Sequence, residues 1–318
     1  MNLNNILITG GCGFIGSNFI NYYFNKYPQN NIICIDAMYY CASLNNIDSS
    51  IRLSERFTMI KGNLIDYSLL CDTIKKYNIT HIIHFAAQSH VDTSFSNSLQ
   101  YTYDNVIGTH NLLEAIRTIN KEIILLHFST DEVYGESLHC TNIQKTEQSL
   151  LCPTNPYAAS KAAAEMYVMS YIHSFKLKAI ITRGNNVYGS NQYPEKLIPR
   201  FIQQLKNGGK CTIQGNGSAI RNFINVYDVC TATDLVLNKG NYGEIYNIGS
   251  DSTNELSVMD VAKILIKKIH NTDCINKYIE YIDDRPFNDM RYFISNDKIT
   301  ALGWKQTIVF NDGINMLL

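Results

Sequence analysis

Short apolar runs alternate with amphipathic stretches through roughly the first 180 residues. The runs Ile6–Ile8, Ile32–Ile35, Phe57–Ile60, Ile82–Phe85, Ile123–Phe128 and Ala179–Ile181 are too short for helices and rich in β-branched residues, so strands are expected there. Between them, Phe14–Phe24, Leu69–Tyr77, Val106–Ile116 and Pro156–Ser174 carry helical periodicity. Strands that alternate with helices in this way build an α/β fold, a doubly wound parallel sheet covered on both faces. Ligands of such sheets bind beyond the carboxyl ends of the strands.

After about Gly184 the alternation weakens. Turn signals such as Asn207-Gly208-Gly209 and Gly215-Asn216-Gly217 appear, followed by a helical stretch at Val258–Ile269. We therefore expect a dinucleotide-binding domain over residues 1–183, with segments near 222–248 returning to it. Residues 184–318 are expected to form mainly a smaller, substrate-binding lobe. No internal repeat or low-complexity linker separates the two.

Composition narrows the options without choosing among them. Of 318 residues, 45% are hydrophobic and 17% charged, ordinary for a globular enzyme. A formal net charge of -1 leaves no basic field for nucleic acid or anionic lipid, so neither partner is expected. Nine cysteines, an odd number without a Cys-x-x-Cys pair, read as reduced thiols of a cytoplasmic protein. The eight histidines show no metal-like spacing with them, so no metal site is expected. No long apolar segment suggests a membrane span or leader.

The strongest local signal is Gly10-Gly11-Cys12-Gly13-Phe14-Ile15-Gly16, between the first strand and an apolar-periodic helix. Gly10 permits a tight turn, Gly13 lets backbone approach a diphosphate, and Gly16 allows close packing of helix on strand. The helix N-terminus, with Phe14 and Ile15, offers free N–H groups to the anion. The next strand ends in Asp36, 20 residues after Gly16, where a carboxylate would accept from a ribose diol. That carboxylate would repel a 2′-phosphate, which favours NAD over NADP. Asn63-Leu64 and Ala86-Ala87 follow the third and fourth strands, where small residues suit close passage of the cofactor.

Tyr157 and Lys161 stand at i and i+4 after Pro156, so they share one helix face, with Thr154 or Asn155 as the cap. A lysine ammonium near a phenol lowers its pKa, so this tyrosine can take a hydroxyl proton while hydride leaves the same carbon for nicotinamide. With 21 tyrosines present, the spacing gains its meaning from the glycine loop.

Together these motifs resemble the extended short-chain dehydrogenase/reductases, whose fold is a Rossmann-type doubly wound sheet with a C-terminal substrate lobe. Ser129-Thr130-Asp131-Glu132-Val133-Tyr134-Gly135 resembles more narrowly the signature of nucleotide-glucose 4,6-dehydratases. The resemblance implies that Tyr157 and Lys161 work at sugar C4, with Ser129 beside the cofactor and Thr130 bonded to the C4 oxygen. It makes Glu132 the base at C5 and Asp131 the acid at the C6 hydroxyl. It also implies substrate contacts from Ser89, Asn186, the segment Glu195-Lys196-Leu197, Arg221, Arg285, Asn288 and Tyr292. A homodimer is common among such enzymes.

The sequence departs from the bacterial dTDP-glucose enzymes at Val187, at Asn288 and in Tyr40-Cys41-Ala42-Ser43-Leu44. These stretches are more similar to the dehydratase half of plant UDP-rhamnose synthases. UDP-glucose is therefore the favoured substrate and dTDP-glucose the second, with rhamnose or another deoxysugar completed by a separate epimerase/reductase. A nucleotide-sugar 4-epimerase would share Tyr157 and Lys161 but has no use for Asp131 and Glu132. A non-catalytic nucleotide-sugar-binding protein would not need the set at all.

Overall fold

The computed structural model describes residues 5–137, 143–251, 255–284, 287 and 289–318. The strands are β1 (Asn5–Thr9), β2 (Asn31–Asp36), β3 (Phe57–Lys61), β4 (His81–His84), β5 (Ile124–Thr130) and β6 (Lys178–Gly184). They continue as β7 (Asn186–Tyr188), β8 (Cys211–Gln214), β9 (Ile220–Asn225), β10 (Ile245–Ile248), β11 (Glu255–Ser257) and β12 (Ile279–Ile282). Seven of them form one parallel sheet in the order β10-β6-β5-β4-β1-β2-β3. The order reverses between β1 and β4, where a crevice must open at the carboxyl edge.

Period-two alternation explains how one strand feeds two cores. Ile6, Ile8, Ile32, Cys34, Ile83, Leu126 and Ile180 face the helices Phe14–Lys26 and Val226–Lys239. Their neighbours Leu7, Ile33, Ile35, Ile82, Leu125 and Ile181 face Tyr67–Lys76, Gly108–Ile119 and Pro156–Phe175. With both faces covered, the strands read as nearly continuous apolar runs.

The smaller lobe has its own core, in which Phe201, Val261, Leu265 and Phe310 meet. Two small sheets frame it, β11-β9-β7 and β12-β8. Within the 222–248 stretch, the Val226–Lys239 helix and β10 pack with the large sheet, whereas β9 pairs with β7 and β11. The helix expected from Val106 becomes regular only at Gly108, after a wide π turn over Thr102–Ile107. Asn105 in that turn accepts from the Gln88 amide at 2.7 Å and donates to Ser160 at 2.8 Å. The extra residue thus aims Asn105 at the loop after β4, a local use of a π bulge.

A buried ion pair joins the Pro156–Phe175 helix to β6. Glu165 and Arg183 are 0% and 2% exposed and meet at 2.6 Å, with the guanidinium also donating to the Tyr134 hydroxyl at 2.8 Å. Removing one partner of such a pair strands a charge in the core. Glu165→Leu should therefore cost about 3–5 kcal/mol in equilibrium denaturation, and adding Arg183→Met should recover most of it. A loss below about 1 kcal/mol for the single variant would show that water reaches the pair.

Candidate active site

The glycine loop follows β1 directly. Gly10 sits at φ +69°, and a Cβ there would lie 2.6 Å from the Ala86 backbone, so the loops after β1 and β4 touch through this residue. A Cβ on Gly16 would lie 2.3 Å from the Gly10 carbonyl. The helix thus rests on the loop itself, rather than on the strand as the sequence suggested, because the loop folds back beneath the first turn. Gly13 caps this helix in an extended conformation, with no side-chain cap and no acid in the first turn. The first N–H groups are therefore left to an anion.

Asp36 closes the opposite side of the loop. Its carboxylate accepts from the Cys12 amide at 2.9 Å and the Met38 amide at 2.7 Å, which fixes its direction. Burial raises its pKa, and these amide bonds oppose the shift. The carboxylate lines the cleft, where a diol could donate to it.

Every residue assigned from sequence to the dinucleotide lines a single cleft: Gly10, Gly13, Phe14, Ile15, Gly16, Asp36, Asn63, Leu64, Ala86, Ala87, Ser129, Tyr157 and Lys161. Ser89, Thr130, Asp131, Glu132, Asn186, Glu195 and Lys196 line the same cleft. Leu197, Arg221 and Tyr292 stand outside that lining. Leu197 opens the Leu197–Lys206 helix and packs on the small lobe's core. The Arg221 guanidinium lies 4.9 Å from the centre of the Tyr292 ring. The Tyr292 hydroxyl donates to Asp289 at 2.5 Å and is 3.5 Å from Glu132. Arg285 and Asn288 lie outside the described residues.

The acid pair follows from the end of β5. Thr130 terminates the strand, and its hydroxyl caps the turn Asp131–Tyr134 by accepting from the Glu132 amide at 3.3 Å. Asp131 is buried, and loss of water followed by repulsion from Glu132 pushes its pKa up to about 7. Burial also raises Glu132, against a hydrogen bond from Asn155 at 3.2 Å and the charges of Arg221 and Lys196. Loss of water thus raises both neighbouring carboxyls.

Asn155 is also the helix cap, accepting from the Ala158 amide at 2.8 Å, so Tyr157 and Lys161 start the helix in fixed positions. Lys161 was expected to lower the Tyr157 pKa, but its ammonium instead donates to the Phe128 carbonyl at 2.7 Å. Burial brings Lys161 down to about 8. The Tyr157 phenol is raised, first by burial and then by the Glu132 charge, while a hydrogen bond from Thr130 lowers it. Asn155 and Asn185, which hold the two carboxyls, were missed as site residues. Asn155 was visible only as a cap, and Asn185 only inside a divergent Gly-Asn-Asn motif.

Fold and cleft together define a dinucleotide-dependent enzyme of the extended short-chain dehydrogenase/reductase class. The family described as GDP-mannose 4,6 dehydratase matches residues 7–317, and the chain belongs to that family of NAD-dependent nucleotide-sugar 4,6-dehydratases. Its relatives include the dTDP-D-glucose 4,6-dehydratase of Dictyostelium discoideum, 42% identical over 98% of this chain and 80% of that protein. A trifunctional UDP-glucose 4,6-dehydratase/UDP-4-keto-6-deoxy-D-glucose 3,5-epimerase/UDP-4-keto-L-rhamnose-reductase of Arabidopsis thaliana is 43% identical over 98% of this chain. The match spans 46% of that plant protein. Among solved structures, dTDP-glucose 4,6-dehydratase from Bacillus anthracis in complex with NAD superposes with a TM-score of 0.89. It is 38% identical, over 98% of this chain and 94% of that one.

The Asp131 carboxyl should titrate near pH 7 when its ¹³C resonance is followed in the purified protein. Glu132→Gln should lower that value, because losing a neighbouring negative charge makes ionisation easier. Titration in the ordinary aspartate range would contradict the burial described above.

Proposed function

We propose that this enzyme converts UDP-glucose to UDP-4-keto-6-deoxy-glucose, with dTDP-glucose as the second substrate. The observation that carries the dehydration is the pair Asp131, buried, and Glu132, half-buried, which line the same cleft as the glycine cradle and are both raised by loss of water. An epimerase acts at C4 alone and needs no such pair.

The cradle fits NAD. Gly10 and Gly16 have no room for a side chain, the first helix turn is uncapped, and Asp36 presents a carboxylate where a 2′-phosphate would be repelled. Bound there, NAD supplies a reversible hydride sink, so the sugar is oxidised at C4 and later reduced at C6 with no net redox change.

In this reading Tyr157 receives the O4 proton, with Thr130 donating to the oxygen on which charge gathers. Burial raises the phenol, so Tyr157 must give up its own proton before it can receive the one on O4, and the positive charge of a nicotinamide bound beside it would favour that phenolate. The new ketone acidifies C5–H. Glu132, held by Asn155 and tempered by Arg221 and Lys196, takes that proton. Asp131, which retains its own proton near neutrality, delivers it to the departing C6 hydroxyl, and water leaves. Lys161 anchors the strand end through the Phe128 carbonyl.

Support for uracil over thymine comes from Val187 and the Tyr40–Leu44 segment, which resemble the plant dehydratases. Val187 lies in the cleft. The two bases differ by a methyl group, worth only about 1–3 kcal/mol. We also propose that the enzyme works as a cytoplasmic homodimer, with residues 1–183 carrying NAD and residues 184–318 mainly the nucleotide-sugar.

Glu132→Gln should oxidise UDP-glucose and stop, so that rapid quench and mass spectrometry find a nucleotide-linked 4-ketoglucose. Loss of water should fall about 10²–10⁴-fold. Water loss at the wild-type rate would remove Glu132 from the role of base. Competing the two nucleotides in one assay should give a kcat/KM ratio of about 5–150 for UDP-glucose over dTDP-glucose. A ratio below unity would reverse the substrate order while leaving the dehydration intact.

A further inference from the structure

Asn185 is bound at three points. Its backbone amide donates to the Ile248 carbonyl at 3.0 Å, its side-chain oxygen accepts from the Ser250 amide at 3.3 Å, and its side-chain nitrogen donates to Asp131 Oδ2 at 2.6 Å. The residue is buried, yet it lines the cleft. Its amide cannot usefully flip. The Ser250 N–H demands the oxygen, so the nitrogen must face Asp131. Gly249 makes the arrangement possible, since a Cβ there would lie 2.3 Å from the Asn185 side-chain oxygen.

The other carboxyl oxygen meets a different neighbour. Asp131 Oδ1 lies 3.3 Å from the Thr130 hydroxyl, which can either donate or accept. An amide N–H can only donate, so it occupies a lone pair of Asp131 Oδ2 and makes that oxygen the poorer seat for the proton, whereas a proton on Oδ1 can be accommodated by the Thr130 hydroxyl.

We propose that Asn185 is a positioning residue for the dehydration: by occupying Oδ2 with a donor that cannot turn, it confines the Asp131 proton to Oδ1 and so aims the acid at the C6 hydroxyl. This rests on the reading of Asp131 as the acid. The same bond stabilises the carboxylate, so it brings the acid's pKa down from where burial alone would leave it. Asn185 touches neither sugar nor cofactor chemistry in this scheme and acts through Asp131. The segment Gly249–Ser250, just after β10, thereby reaches the reacting carboxyl through one side chain.

The test compares Asn185→Ala, Asn185→Asp and Asp131→Asn, each assayed with UDP-glucose and NAD over a range of pH. Formation of 4-ketosugar and loss of water are timed separately by rapid quench. Asn185→Ala should leave 4-keto formation and KM close to wild type, slow water loss about 10-fold or more, and move the alkaline limb of water loss up by about one pH unit. Asn185→Asp places two carboxyls together and should move that limb further up. Slowing of both steps alike with an unmoved limb would mean a structural role only and would overturn the proposal, as would a wild-type limb and rate. Asp131→Asn separates the two readings. If it too keeps wild-type water loss, the acid assignment has failed; if it abolishes water loss while Asn185→Ala is unaffected, the acid stands and the positioning role falls.

Discussion

Seven strands running in one direction leave all their carboxyl ends on one edge, and the reversal of strand order between β1 and β4 opens that edge into a cleft. A parallel sheet is stable only with both faces covered, which commits its polar termini to the edges. The Thr9–Gly10 turn, Asp36, the Ala86–Ser89 loop and the Ser129–Glu132 turn all arise from this arrangement, each where a strand stops. Chemistry-bearing residues far apart in sequence need no long-range device to meet. They meet because their strands are neighbours.

The same geometry sets the electrostatics. Strand β5 delivers Asp131 and Glu132 to a place with little water, where two adjacent carboxyls cannot both ionise freely. Both carboxyls are then held by donors from other elements. Asn155 comes from the start of the Pro156–Phe175 helix, and Asn185 from the link between β6 and β7. The buried Arg183–Glu165 pair, next along the chain to that link, ties the helix to β6.

Much of this was legible in the sequence, and the reasons are specific. The strands of the large sheet show because residues such as Leu7 and Ile8 fill opposite cores, leaving little polar interruption. The glycine loop shows because its spacing answers a local steric demand, and the pairing of Tyr157 with Lys161 shows because helical spacing is local too. What could not be read depends on contacts between distant segments. Lys161 meets the Phe128 carbonyl, Gly16 packs on its own loop, and the Gly108–Ile119 helix begins after a π turn because Asn105 is needed at Gln88. Arg221 and Tyr292 were found by resemblance, but only the structure sets them behind Glu132 rather than in the cleft wall.

The central claim is that one hexose is oxidised at C4, loses water across C5 and C6, and is reduced at C6 without leaving the cleft. Turnover of UDP-glucose carrying deuterium at C4 tests it most directly, with the product examined by NMR. Deuterium should appear in the C6 methyl group of the same molecule, and C5 should carry hydrogen from the solvent. Deuterium returned to C4 as a galactose isomer, or a C6 methyl group free of label, would contradict it.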